Sequence, residues 1–141
     1  MKKTLPLRLI VTEPLLGVWY AMQRGRSELL APATSSGVLT FDFDVQVDLS
    51  KDPPGLTGEF AQGPPATRFV YVSSGTYAGQ SGTSWSRRAK IPITGITASL
   101  AAEAIARKGR LQASVHGTGK DGGPFCASVA LLSDWTVVTA A

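Results

Sequence analysis

Most of the chain alternates between apolar and polar residues, which is the period of β-strands that bury one face. The clearest example is the predicted strand from Val38 to Leu49, where apolar residues at the odd positions from 39 onward alternate with Thr, Gln and Asp at the even positions from 40 onward. Similar alternation and short apolar runs predict further strands over Leu5–Val11, Val18–Arg24, Arg68–Ser73, Trp85–Ile93, Arg110–Gly117, Phe125–Leu131 and Trp135–Val138.

One segment changes to the 3.6-residue period of a helix. The apolar positions from Ile96 to Ile105 fall on a single stripe, which predicts an α-helix over about 97–108. Thr97 is a suitable N-cap, and Gly109 suits the left-handed conformation that ends many helices. Seven to eight short strands with one late helix predict a mainly β fold, an antiparallel β-barrel or β-sandwich whose helix covers one open end.

Length and composition predict one domain, residues 1–141, that folds without a disulfide or a metal. A single cysteine, Cys126, excludes an internal disulfide and favours a cytoplasmic protein. The start of the chain imitates a signal peptide, but Arg8 and Glu13 interrupt its apolar run. No stretch approaches the ~18 uninterrupted apolar residues of a membrane span, so we expect no membrane segment.

The net charge of +4 is unevenly distributed along the chain. Residues 1–59 carry six basic and seven acidic side chains, whereas residues 60–141 carry eight basic and three acidic ones. This basic excess favours an anionic ligand. The sequence lacks a basic run and the interleaved aromatic and basic residues of RNA and single-strand binders, so it argues against a nucleic-acid partner.

The leading candidate site is a basic cluster on two consecutive predicted strands. The strands at 68–73 and 85–93 can pair as a hairpin, and a rigid Gly-Pro-Pro corner at 63–65 precedes the first of them. Several cations on one sheet repel each other unless a negative group lies among them, and Arg binds carboxylate or phosphate through a planar fork. The predicted ligand-binding residues are Gln62, Arg68, Tyr71, Trp85, Arg87, Arg88 and Lys90.

An internal alternative competes with this anion site. Asp42, Asp44 and Asp48 line the polar face of the alternating strand. Cross-strand pairs between these carboxylates and the basic cluster would satisfy both sets of charges without any ligand. The sequence alone leaves both arrangements open.

A second candidate site surrounds the only histidine. In a hairpin whose turn is GTGKDGG (117–123), His116 would face residues 124–126 and lie near Cys126. A Cys–His pair can supply a nucleophile and a base, which suggests a hydrolase or transferase using His116 with Cys126 or Asp121. The alternative is that Cys126 is a small buried strand residue, since no third orienting group is identifiable.

The sequence predicts neither a cofactor nor a metal site. GTGKDGG lacks the spacing of a phosphate-binding P-loop, and no helix follows it. One histidine and one cysteine cannot make a zinc site alone, and the alternating aspartates lack the glycine turn and terminal Glu of an EF-hand loop.

Four blocks of the sequence carry a resemblance to a known family. They are LRLIVTEP (7–14), FAQGPPATRFVYV (60–72), WSRRAKIPITGI (85–96) and GTGKDGGPFCASVALL (117–132). These blocks resemble a family of small bacterial proteins of about this length, whose function is unknown. The resemblance implies kinship and a bacterial cytosolic setting, and it implies no chemistry.

Three functional hypotheses follow from these observations. The leading one is a non-catalytic binding module for a small anionic or polar ligand, or for a protein partner. The second is the hydrolase or transferase at His116. The third is a homodimer formed through an exposed strand edge.

Overall fold

The computed structural model describes residues 2–15, 17–24, 27–32, 37–51, 54–64, 67–77 and 83–139, with the backbone alone at 23–24, 27–32, 76–77 and 83–86. Within these ranges there are eleven strands and one helix. The strands are β1 (Lys2–Thr12), β2 (Trp19–Arg24), β3 (Ser27–Pro32), β4 (Val38–Asp48), β5 (Gly55–Thr57), β6 (Ala61–Gln62), β7 (Phe69–Tyr77), β8 (Thr83–Pro92), β9 (Arg110–His116), β10 (Ala127–Ser128) and β11 (Ser133–Val138), and the helix is α1 (Ala98–Ala106).

The strands form two sheets. The first has the order β11-β9-β1-β4-β5, and the second has the order β10-β8-β7-β2-β3, with β6 paired to the first residues of β7. Within the described residues neither sheet closes on itself, so the arrangement is sandwich-like. The prediction of a mainly β fold with one helix is confirmed.

Two strand pairs differ from the antiparallel arrangement that the sequence predicts. β9 runs parallel to β1, with Leu111 opposite Leu7, and β10 runs parallel to β8, with Ser128 opposite Lys90. Alternation indicates which face of a strand is buried, but it does not indicate which distant strand lies beside it. The sequence therefore predicts neither of the two parallel strand pairs. It also does not predict the short strands β3, β5 and β6.

The strand predicted over Phe125–Leu131 is reduced to two residues. It belongs to the second sheet rather than pairing with β9 as a long hairpin. Only the tight connection of the predicted hairpin is present, as a single antiparallel bridge between Thr118 and Pro124. Ala127 has a φ of 60°, in the left-handed region, so the chain does not continue as a regular strand beside β9.

Both sheets contribute to one hydrophobic core. Alternate residues of β1 and β4 point into it, and Leu7, Leu9, Phe41 and Val45 are each at most 2% exposed. The second sheet contributes the buried residues Tyr20, Val70, Val72, Ala89 and Ile91. Burial of this apolar surface is the main driving force for folding, at about 25 cal/mol per Å². The residues between these core positions are left on the outer faces of the sheets.

α1 packs against β9 and β11 of the first sheet, where Ala101 and Ala104 are fully buried. Thr97 is the N-cap, as predicted, and its hydroxyl accepts a hydrogen bond from Leu100 N at 3.1 Å. The helix begins and ends within the predicted span. In the described residues no helix has the length and apolar character needed to cross a bilayer.

The end of α1 corrects the prediction for Gly109. Lys108, not Gly109, takes the left-handed conformation, with a φ of 53°. Glycine is required at 109 for a different reason, because a Cβ there would lie 2.6 Å from Val138 O. Gly109 therefore marks the close approach of β11 to the end of the helix.

Candidate functional site

Part of the predicted basic cluster lies on the outer face of the second sheet. In the antiparallel pair of β7 and β8, Tyr71 lies opposite Lys90, and Ser73 lies opposite Arg88. Directly opposite residues of such a pair share a face of the sheet. The intervening residues of both strands are buried or turned to the core side. Tyr71, Arg88 and Lys90 therefore point outward together, and Phe69 points outward beside them.

Two cation–π contacts organise this outer face. Arg88 Cζ lies 4.6 Å from the centre of the Tyr71 ring, and Lys90 Nζ lies 4.7 Å from the centre of the Phe69 ring. The two rings meet edge to face, with their centroids 4.8 Å apart. The negative face of an aromatic ring attracts a cation without removing its charge. We call these four side chains the aromatic–cation row.

A groove of about 490 Å³ lies at the Phe69 and Lys90 end of the row. It is lined by Thr67, Arg68, Phe69, Lys90, Pro92, Thr94, Ser128 and Val129, and we call it the basic groove. These residues include two cations and three hydroxyl groups, and no carboxylate is among them. The volume is within the range of small-molecule sites, about 300–1,000 Å³.

The corner before β7 positions the groove residues Arg68 and Phe69. Gly63 has a φ of 83°, and a Cβ there would lie 2.6 Å from Phe69 Cε1, so both the backbone and the ring require glycine. Arg68 Nη1 donates to Gly63 O at 2.6 Å, and Thr67 N donates to Pro64 O at 3.0 Å. Arg68 Nε is buried and has no hydrogen-bond acceptor among the described residues. The corner thus fixes the guanidinium through one of its three nitrogens.

The internal alternative, in which the basic cluster pairs with the aspartates of β4, is wrong. Asp42 lies in the first sheet and pairs there with Arg8 at 2.7 Å and Arg110 at 3.2 Å. The hydrogen bond from Arg8 is the main reason why the pKa of Asp42 is lowered. Asp48 accepts hydrogen bonds from the turn that follows β4, and Asp44 lines a separate groove. The two sets of charges are apart because β4 and β8 belong to different sheets.

Two further residues of the predicted cluster lie at its margins. Gln62 is in β6, opposite Phe69, and so borders the aromatic–cation row on the side away from β8. Trp85 lies in β8 opposite Gly75, and its side chain is outside the described part of the structure.

Arg87 is not brought together with Arg88 and Lys90, because adjacent strand residues point to opposite faces. Its Nη2 pairs with Asp121 Oδ2 at 2.9 Å, and its Nη1 donates to Pro124 O at 2.8 Å. A Cβ on Gly123 would lie 2.9 Å from the Arg87 guanidinium, so the absence of a side chain at 123 leaves room for Arg87. The hydrogen bond from Arg87 is the main cause of the lowered pKa of Asp121. Arg87 therefore links β8 to the GTGKDGG connection through an ion pair and a hydrogen bond.

The second candidate site lies where β1 and β9 end. His116 Nε2 is 2.6 Å from Glu13 Oε2, and His116 Nδ1 is 2.9 Å from Thr118 O. These contacts raise the pKa of His116, with the Thr118 carbonyl as the largest cause and the Glu13 carboxylate as the next. A protonated imidazole donates through both nitrogens, so it satisfies both acceptors. Glu13 is the orienting group that the sequence does not identify.

The geometry does not assemble a Cys–His pair. His116 and Cys126 line one cavity of about 450 Å³. Both ring nitrogens of His116 are engaged by Glu13 and Thr118, which leaves neither of them for the thiol. Cys126 is exposed, in contrast to the buried strand residue considered from the sequence.

Sequence reasoning misses three polar residues of the basic groove. Thr67 lies in the corner, Thr94 follows β8, and Ser128 comes from β10 through a parallel pairing that no local pattern reveals. The sequence pattern could have identified Phe69 as a site residue, since alternation places it on the same face as Tyr71. Across the described ranges, no three His, Cys, Asp or Glu side chains are grouped as metal ligands.

Comparison with known proteins adds a family relationship. A family of unknown function (DUF5990) matches residues 5–138 of the chain. No curated protein and no solved structure matches it.

Proposed function

Because the chain belongs to this family of unknown function, we propose its function from the site itself: a non-catalytic module that binds a small anionic ligand in the basic groove. The observation that carries the proposal is the make-up of the groove, with two cations, three hydroxyl groups and no carboxylate among its lining residues.

The charge of the groove supports an anion. Within the described part of the chain, neither Arg68 nor Lys90 is in an ion pair, whereas Arg8, Arg87 and Arg110 each have an aspartate partner. Lys90 lies over the Phe69 ring, which orients the ammonium but leaves its positive charge in place. The two cations therefore set up a positive potential that favours an anionic group between them.

The hydrogen-bond donors of the groove also suit an anion. Arg68 lines the groove, and the hydrogen bond from its Nη1 to Gly63 O holds its guanidinium in place there. The hydroxyl groups of Thr67, Thr94 and Ser128 are exposed around it. Carboxylate and phosphate oxygens accept several charge-assisted hydrogen bonds at once, and such bonds are the strong ones. A phosphate or carboxylate group is therefore the ligand chemistry that best matches the groove.

The groove supports binding rather than catalysis. Its lining residues include no His, Cys, Asp or Glu, and so they offer no general base for a proton transfer at neutral pH. The residues with such chemistry, His116 and Cys126, line a different cavity.

The proposal is tested by calorimetric titration of the wild-type protein with inorganic phosphate at low ionic strength. We expect measurable binding that weakens at least about tenfold in Arg68→Ala, because a charge-assisted hydrogen bond is lost. Lys90→Met keeps an unbranched apolar side chain beside Phe69 and removes the ammonium that lies over the ring, and we expect a similar loss. This second variant keeps the test informative if Arg68→Ala unfolds the corner.

The matched control is Arg107→Ala, which removes the same charge from an exposed position beyond α1 that forms an ion pair with Glu103 at 3.8 Å. Its phosphate affinity should stay within about twofold of wild type, since Arg107 is not among the residues that line the groove and donates no hydrogen bond to an anion bound there. Absence of phosphate binding, or an equal loss in Arg107→Ala and Lys90→Met, would overturn the proposal.

A further inference from the structure

The aromatic–cation row continues from the basic groove along β8 to Arg88, beyond the place where a small anion would bind. Arg88 is exposed, and its guanidinium lies over the Tyr71 ring, 4.6 Å from Cζ to the ring centre. Tyr71 lies on one side of this guanidinium, and the Arg88 side chain is otherwise exposed to solvent. An exposed guanidinium plane backed by an aromatic ring is a surface on which another planar ring system stacks.

The basic groove and the stacking surface at Arg88 lie close together along β8. Lys90 lies at the groove, and Arg88 is two residues away on the same face of the same strand. Two strand residues span about 7 Å. A phosphate group at Lys90 and Arg68 would therefore be separated from a ring at Arg88 by a distance that one pentose bridges.

From this arrangement we infer that the ligand is a mononucleotide, with its phosphate in the basic groove and its base stacked on Arg88 over Tyr71. The inference rests on the proposed function and names its ligand class.

The row is suited to one base rather than to a strand of nucleic acid. Proteins that bind single strands present a series of aromatic platforms to successive bases. Beyond Tyr71 the next outward position of β7 is Ser73, which is 5% exposed. In the other direction Phe69 is already covered by Lys90 and forms a wall of the groove. One stacking position next to one anion site matches a single nucleotide.

The decisive experiment compares four probes by calorimetry on the wild-type protein: inorganic phosphate, ribose 5-phosphate, adenosine and adenosine 5′-monophosphate. We expect the monophosphate to bind at least about fivefold more tightly than ribose 5-phosphate, because stacking of one base contributes about 1–3 kcal/mol. Adenosine should bind more weakly than the monophosphate, since it lacks the group that the groove holds.

Arg88→Lys is the sharpest variant, because it keeps the charge and removes the stacking plane. We expect it to reduce the affinity for the monophosphate by about fivefold or more and to leave that for ribose 5-phosphate unchanged. Tyr71→Leu, which removes the ring behind the guanidinium, should have the same selective effect, and Arg107→Ala should have none.

Failure of this inference can be distinguished from failure of the proposed function. If phosphate binds but the monophosphate binds no more tightly than ribose 5-phosphate, the nucleotide inference is overturned and the anion groove stands. If no probe binds, both are overturned. If a short single-stranded oligonucleotide binds more than about tenfold more tightly than the mononucleotide, the one-base assignment is overturned.

Discussion

The corner at Gly63 offers a direct test of how the groove is built. We predict that Gly63→Ala destabilises the protein by two separable effects. The first is backbone strain, since a φ of 83° lies in the left-handed region and costs an alanine about 1–2 kcal/mol. The second is overlap with Phe69, because the new Cβ would lie 2.6 Å from Cε1, where an ordinary contact is 3.4–4 Å. Overpacking of this kind costs about 1–3 kcal/mol, so we expect a total of about 2–5 kcal/mol.

Gly122 is the matched control for the strain. It has the same φ of 83°, and a Cβ there would meet nothing within 4 Å. Gly122→Ala should therefore cost only the backbone contribution, about 1–2 kcal/mol. Gly55→Ala, with no left-handed φ and a nearest atom at 3.7 Å, should be close to neutral. Denaturant unfolding of the three variants gives the free energies, provided that the m-values agree with wild type.

The overlap is isolated by repeating Gly63→Ala in a Phe69→Leu background. Without the ring edge, the cost of Gly63→Ala should fall towards the value measured for Gly122→Ala, with a remainder from the Thr67 carbonyl, which would lie 3.3 Å from the new Cβ. The cost of Gly63→Ala in wild type minus its cost in Phe69→Leu is the coupling energy of the pair. Phosphate affinity should fall in Gly63→Ala and not in Gly122→Ala, since Phe69 and Arg68 line the groove. If Gly63→Ala costs no more than Gly122→Ala, the argument that the Phe69 ring requires this glycine is refuted.

Two further predictions concern the ends of β1, β9 and α1. Lys108→Gly should stabilise the protein by about 1 kcal/mol in denaturant unfolding, because Lys108 has a φ of 53° and glycine adopts it without strain, and a destabilised variant would contradict the assigned helix end. The pKa of His116 should lie above its ordinary value of 6.5 in an NMR titration, owing to the Thr118 carbonyl and the Glu13 carboxylate. A folded-state pKa raised in this way contributes stability that is fully present below pH 6.5 and is lost as the pH rises through the raised value. The advantage of wild type over His116→Gln should therefore shrink with rising pH, and a constant difference would show that the imidazole contacts do not contribute through protonation.

The sequence predicts the faces of the strands better than their neighbours. Alternation along β8 separates Arg87 from Arg88 and Lys90, although the predicted site groups the three, because the face of a residue depends only on its position in its own strand. It could not place Ser128 beside Lys90, since that contact depends on a two-residue strand in a parallel pair. Gly109 shows a second limit. Glycine after a helix is commonly the left-handed cap, and only the position of β11 shows that this one is needed for a close approach.

The contacts that hold Arg88 and Lys90 in place also determine the electrostatic potential of the site. From the sequence, neighbouring cations on β8 require a negative partner, either an aspartate or a ligand. The structure shows another solution, in which Arg88 and Lys90 each lie over an aromatic ring. An aspartate would cancel the charge, as Asp42 does for Arg8 in the first sheet. An aromatic ring stabilises the position of a cation but carries no net charge, so the positive potential of the face remains. An anion bound at this face would reduce the repulsion between the cations of β8, and this is the physical reason for the proposal that this face binds a ligand.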